Sequence, residues 1–247
     1  MKIIISPAKK LNTSIKVQNS KMNTSFLDES TKLIQILKEK SILELKDLMG
    51  VSANLAQLNW QRFKDWDIEN RNTYKALELF NGAVYEGINA KNFNESDNDF
   101  AQNNLRILSG LYGILKPNDL ILPYRLEMGT QLKTINGNNL FRFWQDKLHH
   151  NIREELNNEV LINLASNEYS KVLKLTEIKS EVITPVFKDY KNGKLKIVSF
   201  FAKRARGEMC NFIIKNRITN VEDLKQFQNL EYKFTDVMEN GELLFTR

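Results

Sequence analysis

The chain has 247 residues, 42% of them hydrophobic and 27% charged, a composition typical of a globular protein with a sizeable core. A single cysteine, Cys210, excludes an internal disulfide, and we expect a reducing, cytoplasmic location. No run of about 18 apolar residues is present, and the apolar part of MKIIISPAKK is too short for a signal peptide, so we expect no membrane partner.

Positive charge is concentrated in one part of the chain. The formal net charge is +6, but residues 171–206 alone contain ten Lys or Arg and three acidic residues. This asymmetry favours a polyanion or a phosphate group as partner. The alternative is a solvated, lysine-rich surface.

Helix signals dominate the first part of the chain. Capping residues precede apolar residues at helical spacing, and capping boxes are indicated at Ser41 with Glu44 and at Ser96 with Asp99. The fifth of these helices is predicted to end at Gly110. The predicted helices begin at or after Asp28, Ser41, Ser52, Asn72 or Thr73, Ser96 and Asn139.

Strand signals gather in the second part. A short apolar run ends at Asn163, and Asn192-Gly193 and Asn240-Gly241 each indicate a type I′ hairpin. Thr219 and Glu222 predict a final short helix. The fold class predicted is mixed α/β (α+β): one compact domain over residues 1–247, with flanking helices around a mixed sheet that the first strand joins.

Polar residues follow two predicted strands. Ser6, Pro7 and Lys9 come after the first strand, and Ser166 and Glu168 follow the strand that ends at Asn163. Ligands of such sheets bind at the carboxyl ends of the strands, so we expect these residues to meet in a site. The alternative is that they are ordinary caps and turns.

The segment SGLYGILKPNDLILPYRLEMG contains two further candidates. Gly110 and Gly113 could form a glycine hairpin between helices, whose backbone amides contact a DNA phosphate, or a helix C-cap and turn. Tyr124, Arg125 and Glu127 follow in a polar–apolar alternation. Arg125 could bind a carboxylate or phosphate, or pair internally with Glu127.

The stretch SFFAKRARGEMCNFII is predicted to begin as a strand and continue as a helix. At about 100° per residue, Lys203, Arg206 and Gly207 share one face, with Arg204 at its edge. Cations at a helix start oppose the helix dipole, so an anion is expected there, and Gly207 would allow its close approach. The alternative is that Gly207 packs against a helix and the cations pair with Glu127, Glu168 or Glu208.

Other chemistries lack support in the sequence. There is no P-loop or dinucleotide fingerprint, and the adjacent His149 and His150 diverge on a helix, so we expect no cofactor and no metal site. Cys210 would have a lowered pKa only if it were exposed.

Five segments together resemble the YaaA family of bacterial peroxide-stress proteins: IIISPAK, FNGAVYEGI, LSGLYGILKPNDLILPYRLEMG, INLASNEY and FFAKRARGEM. The resemblance implies a single α/β domain with a positively charged cleft and a helix-hairpin-helix-like element that binds double-stranded DNA. It also implies a role in limiting unincorporated iron and oxidative DNA damage. The hairpin would be residues 110–113, and the cleft would include Lys9, Arg125, Lys203, Arg204 and Arg206.

Three functions follow as hypotheses. The first is a DNA-binding protein of the peroxide stress response. The second is an enzyme acting on a nucleotide, nucleobase or other small phosphorylated molecule, with Glu127 or Glu168 as acid or base and Lys9 or Lys203 stabilising charge. The third is iron sequestration by the acidic residues Glu95, Asp97 and Asp99.

Overall fold

The computed structural model describes residues 1–70, 72–135 and 137–247. The strands are β1 (Lys2–Ile5), β2 (Lys10–Leu11), β3 (Tyr74–Lys75), β4 (Phe80–Asn81), β5 (Leu105–Ser109), β6 (Gly113–Leu115), β7 (Leu120–Ile121), β8 (Leu161–Asn163), β9 (Val182–Ile183), β10 (Pro185–Lys191), β11 (Lys194–Lys196), β12 (Lys233–Val237) and β13 (Leu243–Thr246).

The α-helices are α1 (Leu27–Lys38), α2 (Ile42–Met49), α3 (Ala53–Lys64), α4 (Ala76–Leu79), α5 (Ala83–Ile88), α6 (Glu95–Asn104), α7 (Leu140–Leu156), α8 (Asn167–Ser170) and α9 (Ser199–Asn216). Single-turn and short 3-10 helices span Ala90–Asn92, Lys171–Leu173, Leu175–Glu177, Val221–Gln226 and Asn229–Glu231. Within the described ranges no helix is long and apolar enough to cross a membrane. The chain is a mixed α/β protein, as predicted.

The larger sheet has the strand order β6-β5-β1-β8-β9. Strand β1 is parallel to β5 and β8, β8 is parallel to β9, and β6 is antiparallel to β5. Ile3, Ile4 and Ile5 are fully buried because β1 lies in the middle of the sheet with both faces covered. The carboxyl ends of β1, β5 and β8 therefore lie at the same edge.

The smaller sheet has the order β11-β10-β13-β12, with β10 and β13 parallel. Asn192 and Gly193 both have positive φ, 53° and 71°, so the predicted type I′ turn between β10 and β11 is confirmed. The second hairpin is also present, but Met238 pairs with Glu242 across a three-residue loop in which Gly241 is left-handed. The single sheet expected from the sequence is thus two main sheets, which share one continuous hydrophobic core.

The prediction of a helix that extends to Gly110 is wrong for the second half of that segment. Helix α6 ends at Asn104, and the next five residues form the inner strand β5, which is buried throughout. A strand buried on both faces is apolar without alternation, so its sequence also fits a helix. The cap of α6 is Asn94 with Asp97 rather than Ser96 with Asp99.

Several other helix starts were predicted correctly. Ser41 forms its capping box with Glu44, and Ser52 and Asn139 cap α3 and α7. Helix α1 instead begins after Phe26, and Asn220 rather than Thr219 caps the 3-10 helix Val221–Gln226.

Helix α9 corrects the prediction of a strand at its start. The whole stretch from Ser199 is one helix, so Lys203 is its fifth residue and lies beyond the first turn. The N-terminal dipole effect, which is confined to that turn, therefore carries no argument for an anion here.

Two glycines bring α9 against α5. A Cβ atom on Gly207 would lie 2.0 Å from the carbonyl oxygen of Val84, and one on Gly87 would lie 2.6 Å from that of Arg204. The alternative interpretation of Gly207 as a packing residue is therefore correct, and Gly207 does not face an open basic surface. Helix α9 is buried on this side and also along Ala205, Met209 and Ile213.

We predict that Gly207→Ala destabilises the fold by about 1–3 kcal/mol or more, because the added methyl group meets backbone atoms rather than a flexible side chain. Urea denaturation measures the change in free energy of unfolding. Gly82→Ala is the matched control, since its Cβ would contact only Ala8, at 3.5 Å. Equal stability of the two variants would contradict the close helix contact.

A second prediction concerns acid stability. Asp97, with a side chain 1% exposed, accepts from Lys215 Nζ at 2.6 Å and Arg217 Nη2 at 3.2 Å, joining α6 to the end of α9. The Lys215 hydrogen bond is the main cause that lowers the pKa of Asp97 below its usual 3.8. A lowered pKa stabilises the fold above about pH 3.8, and this contribution is lost as pH falls through the lowered value.

Asp97→Asn should therefore lose less free energy of unfolding than the unchanged chain when pH is lowered from neutral to about 3. Denaturation curves at the two pH values measure the difference. The exposed Asp99→Asn is the control and should show the unchanged acid dependence. An Asp97→Asn chain with the full acid dependence would refute the assigned role of these ion pairs.

Candidate functional site

A cleft of about 360 Å³ opens at the edge of the larger sheet where β1 and β8 end. Its walls are the residues that follow these strands, the start of α5, the segment 124–127 and one side of α9. The polar and charged side chains that line it are Ser6, Lys9, Lys10, Asn81, Tyr85, Tyr124, Arg125, Glu127, Ser166, Glu168, Tyr169, Lys203 and Arg206.

The two strand ends singled out in the sequence are joined directly. The backbone N–H of Ser166 donates to Ser6 Oγ at 2.9 Å, and the two hydroxyl oxygens are 3.2 Å apart. Ser166 occupies the N-cap position of α8 without a capping bond from its side chain. Its hydroxyl is instead part of the floor of the cleft, together with Ser6.

The end of β5 supports a third part of the wall. Ser109 Oγ lies 2.6 Å from the hydroxyl of Tyr124 and accepts the backbone N–H groups of Leu111 and Tyr112. Tyr124 is thereby held over the end of the sheet.

The glycine hairpin predicted to contact DNA is a buried β-turn. Gly110 lies in the connection between β5 and β6, Gly113 is the first residue of β6, and Leu111 and Tyr112 are fully buried between them. A Cβ on Gly110 would lie 2.3 Å from the carbonyl oxygen of Leu126, so this glycine lets the segment 124–127 approach the turn. Neither glycine can reach a phosphate, and the helix-hairpin-helix assignment is wrong because β5 and β6 stand where two helices were expected.

Arg125 and Glu127 point to the same side of an extended segment, as the alternation in the sequence indicated. Glu127 Oε1 accepts from Arg125 Nη2 at 3.1 Å and is paired with Lys9 Nζ at 3.0 Å. Arg125 Nε is buried without a hydrogen-bond partner. One carboxylate oxygen therefore serves two cations, and the guanidinium keeps a donor unused.

Helix α9 contributes two cations to the cleft, Lys203 and Arg206. Lys203 is exposed and Arg206 half-buried, and within the described part of the chain neither makes an ion pair or hydrogen bond. Burial lowers the pKa of Arg206 below its usual value, because desolvation disfavours the charged form, and the charge of Glu242 opposes this shift in part. A guanidinium remains protonated near neutral pH nonetheless, so this charge is partly desolvated, and the carboxylate of Glu242 acts on it only from beyond ion-pair distance.

Arg204 and Gly207, both predicted to bind the anion, lie elsewhere. Arg204 pairs with Glu208 at 3.1 Å and Glu86 at 3.5 Å, and it lines a different depression on the far side of α5. Gly207 is enclosed by the contact with α5. Helical spacing in the sequence could not distinguish Arg204 and Gly207 from Arg206, because the spacing does not show which side of α9 packs against α5.

Three buried tyrosines complete the wall, and burial raises the pKa of each. The hydroxyl of Tyr85 donates to the carbonyl oxygen of Ser6 at 3.0 Å. For Tyr169 the nearby charges of Glu168 and Glu127 raise the pKa further. These phenols are therefore neutral near pH 7 and act as apolar wall and hydrogen-bonding groups.

The balance of charge in the cleft is positive. Five cationic side chains line it against two carboxylates, Glu127 and Glu168. Glu168 makes no ion pair or hydrogen bond within the described residues and lies over Gly129. Such an arrangement can bind an anionic group.

Sequence reasoning did not identify Lys10 and Tyr85 individually as site residues, although Tyr85 lies in the segment FNGAVYEGI.

Two other candidates take no part in the cleft. Cys210 is fully buried, and burial raises the pKa of its thiol, so it is not a reactive thiolate. Asp97, the central residue of the acidic group considered for iron, is buried and forms ion pairs with Lys215 and Arg217.

Comparison with known proteins identifies the chain's relatives. The family model described as "Peroxide stress protein YaaA" matches residues 1–238. A "UPF0246 protein" of Teredinibacter turnerae is 47% identical over 254 aligned residues, which cover 100% of this chain and 99% of the relative. Similar proteins of the same name occur in Aliivibrio fischeri, at 46% identity over 96% of this chain and 93% of the relative, and in Saccharophagus degradans, at 46% over 100% and 99%.

The names of these relatives state no activity, but the matches extend over nearly the full length of each chain. The segments that resembled the family in the sequence form the strand ends, the start of α5, the segment 124–127 and the cationic side of α9. The chain therefore belongs to the family of the peroxide stress protein YaaA.

Proposed function

We propose that this chain acts in the peroxide stress response as a DNA-binding protein that contacts phosphate groups with its cleft. The observation that carries the proposal is the meeting of cations from three separate segments at one sheet edge. They come from the loop after β1, from the segment 124–127 and from α9: Lys9, Lys10, Arg125, Lys203 and Arg206.

Lys203 and Arg206 form no ion pair with any described residue, and this supports an external anion. The half-buried guanidinium of Arg206 has lost hydration and forms no ion pair with a described residue, since Glu242 acts on it only from a distance. This state is unfavourable until an oxyanion binds. Arg204, two residues before Arg206, shows the contrast, since two internal carboxylates satisfy it.

Further positive charge lies immediately before α9. The hairpin of β10 and β11 carries Lys188, Lys191, Lys194 and Lys196, the last three of them exposed. Lysines on such a surface can neutralise DNA phosphates outside the cleft. We propose that this hairpin extends the contact with double-stranded DNA beyond the cleft itself.

The effect on iron belongs to the same proposal. DNA covered by the protein would be protected from oxidative damage, and unincorporated iron would be limited indirectly. The engagement of Asp97 by Lys215 and Arg217 argues against direct iron binding by the group Glu95, Asp97 and Asp99.

A second candidate function is catalysis on a nucleotide or another small phosphorylated molecule. The observation in its favour is Glu168, which shares the cleft with Lys9 and Lys203 and has no ion pair or hydrogen bond among the described residues. Glu168 or Glu127 would transfer a proton, and the cations would stabilise the charge that develops on a phosphorylated substrate.

The first prediction from this proposal concerns salt. The logarithm of duplex affinity should fall linearly with the logarithm of salt concentration, and Lys203→Gln or Arg206→Gln should each reduce the slope by about 1. Affinity should fall alike for duplexes of unrelated sequence, because phosphates carry no sequence information. Fluorescence anisotropy over a salt series measures both quantities.

Arg204→Gln is the matched control for these variants, since its guanidinium lies outside the cleft and is paired internally. It should leave the slope unchanged. A salt-independent affinity, or an equal loss in Arg204→Gln and Arg206→Gln, would refute binding by the cleft.

The second prediction is a gain in duplex affinity instead of a loss. Glu127→Gln should raise duplex affinity by roughly two- to fivefold, because Lys9 and Arg125 lose the internal carboxylate that neutralises them. The same titration measures the gain. Glu86→Gln, which removes a partner of Arg204 outside the cleft, should change nothing. Weaker binding by Glu127→Gln would show that this carboxylate orients the cations instead of competing with DNA.

A further inference from the structure

The size of the cleft limits what can enter it. Its volume of about 360 Å³ lies near the lower end of the range of small-molecule sites, about 300–1,000 Å³. The major groove of B-DNA alone is about 12 Å wide, so an intact duplex is far larger than this space. A duplex can contact the rim, but only a single nucleotide unit can fill the interior.

The walls of the cleft are of two kinds. The side formed by α9 and the segment 124–127 carries Lys203, Arg206 and Arg125. The remaining lining contains an apolar and phenolic group, with the polar residues Ser6, Lys9, Lys10, Asn81, Ser166 and Glu168 beside it. The apolar and phenolic group is Pro7, Ala8, Val84, Leu164, Tyr85 and Tyr169. A molecule with a charged phosphate at one end and a flat, mostly apolar ring at the other matches this division.

The cations favour a phosphate monoester over a diester. Among the described residues Lys203 and Arg206 form no ion pair and Arg125 Nε has no acceptor, and the cleft has five cations against two carboxylates. A phosphate monoester carries a charge of about −1.5 to −2 near neutral pH, whereas each diester of a nucleic-acid backbone carries a single negative charge. Arginine also binds the oxygens of a terminal phosphate with two parallel hydrogen bonds.

We propose that the cleft is a binding site for one nucleoside monophosphate unit, with its phosphomonoester on Lys203, Arg206 and Arg125 and its base against the apolar wall. The proposal rests on the function proposed above and names what the interior of the same cleft binds. A free nucleotide and the 5′-phosphorylated end of a DNA strand present the same group, and the experiment separates these two sources.

The test compares ligands that differ only in the phosphomonoester. Isothermal titration calorimetry measures binding of a nucleoside 5′-monophosphate and of its nucleoside, and anisotropy measures binding of one duplex with 5′-phosphate or 5′-hydroxyl ends. The monophosphate should bind at least about tenfold more tightly than the nucleoside, which corresponds to the loss of a charged hydrogen bond. If the 5′-phosphorylated duplex binds more tightly than the 5′-hydroxyl duplex, the ends of DNA strands are a ligand of the cleft. If the two duplexes bind equally and the monophosphate binds tightly, the ligand is the free nucleotide.

Two variants assign the effect to the cleft. Arg206→Gln and the exposed Lys203→Gln should each remove most of the preference for the phosphomonoester, and Arg204→Gln should keep it. Lys203 is included because replacing an exposed side chain leaves the fold intact even where Arg206→Gln is destabilised.

The two proposals fail in different ways. No binding of the monophosphate, together with equal affinity for both duplex ends, would overturn this inference, while a steep salt dependence would still support DNA binding by the rim. Tight binding of the monophosphate with no measurable duplex affinity would overturn DNA binding and support this inference.

Discussion

The parallel pairing of β1 with β5 on one side and β8 on the other is the constraint on which the rest of the site depends. It places the carboxyl ends of three strands at one edge, so that Ser6 and Ser166 meet there and Ser109 ends the strand beside them, although the three are far apart in sequence. Ser6 and Ser166 bond directly, and Ser109 holds Tyr124. A change of register in β1 would move Lys9 away from Glu127 and open the floor of the cleft.

A second constraint is the close contact between α5 and α9. Because Gly87 and Gly207 bring the two backbones together, the rotation of α9 about its own axis is determined. That rotation directs Arg206 toward the cleft and Arg204 toward the carboxylates Glu86 and Glu208. Gly207 therefore acts through packing, because it positions the cations of α9 without contacting a ligand.

Some cations of the cleft are paired with an internal carboxylate, and others form no ion pair with a described residue. Glu127 joins Lys9 and Arg125 into a group that is partly neutralised in the free protein, whereas Lys203 and Arg206 have no such partner in the described part of the chain. Membership of the YaaA family gives the setting, peroxide stress, and the charge distribution supports a phosphate group as the ligand. The proposed binding needs no glycine hairpin, since residues 110–113 serve to pack the sheet edge.

What the sequence determined by itself was local. The caps at Ser41, Ser52 and Asn139 and the turn at Asn192-Gly193 were predictable because bonds within three or four residues form them. The tertiary structure decided that residues 105–109 form a strand, because an apolar run takes its conformation from the neighbours that offer backbone hydrogen bonds. It also decided which cations share the cleft, since the direction of a side chain on α9 depends on the helix packed against it, and no spacing within the chain records that contact.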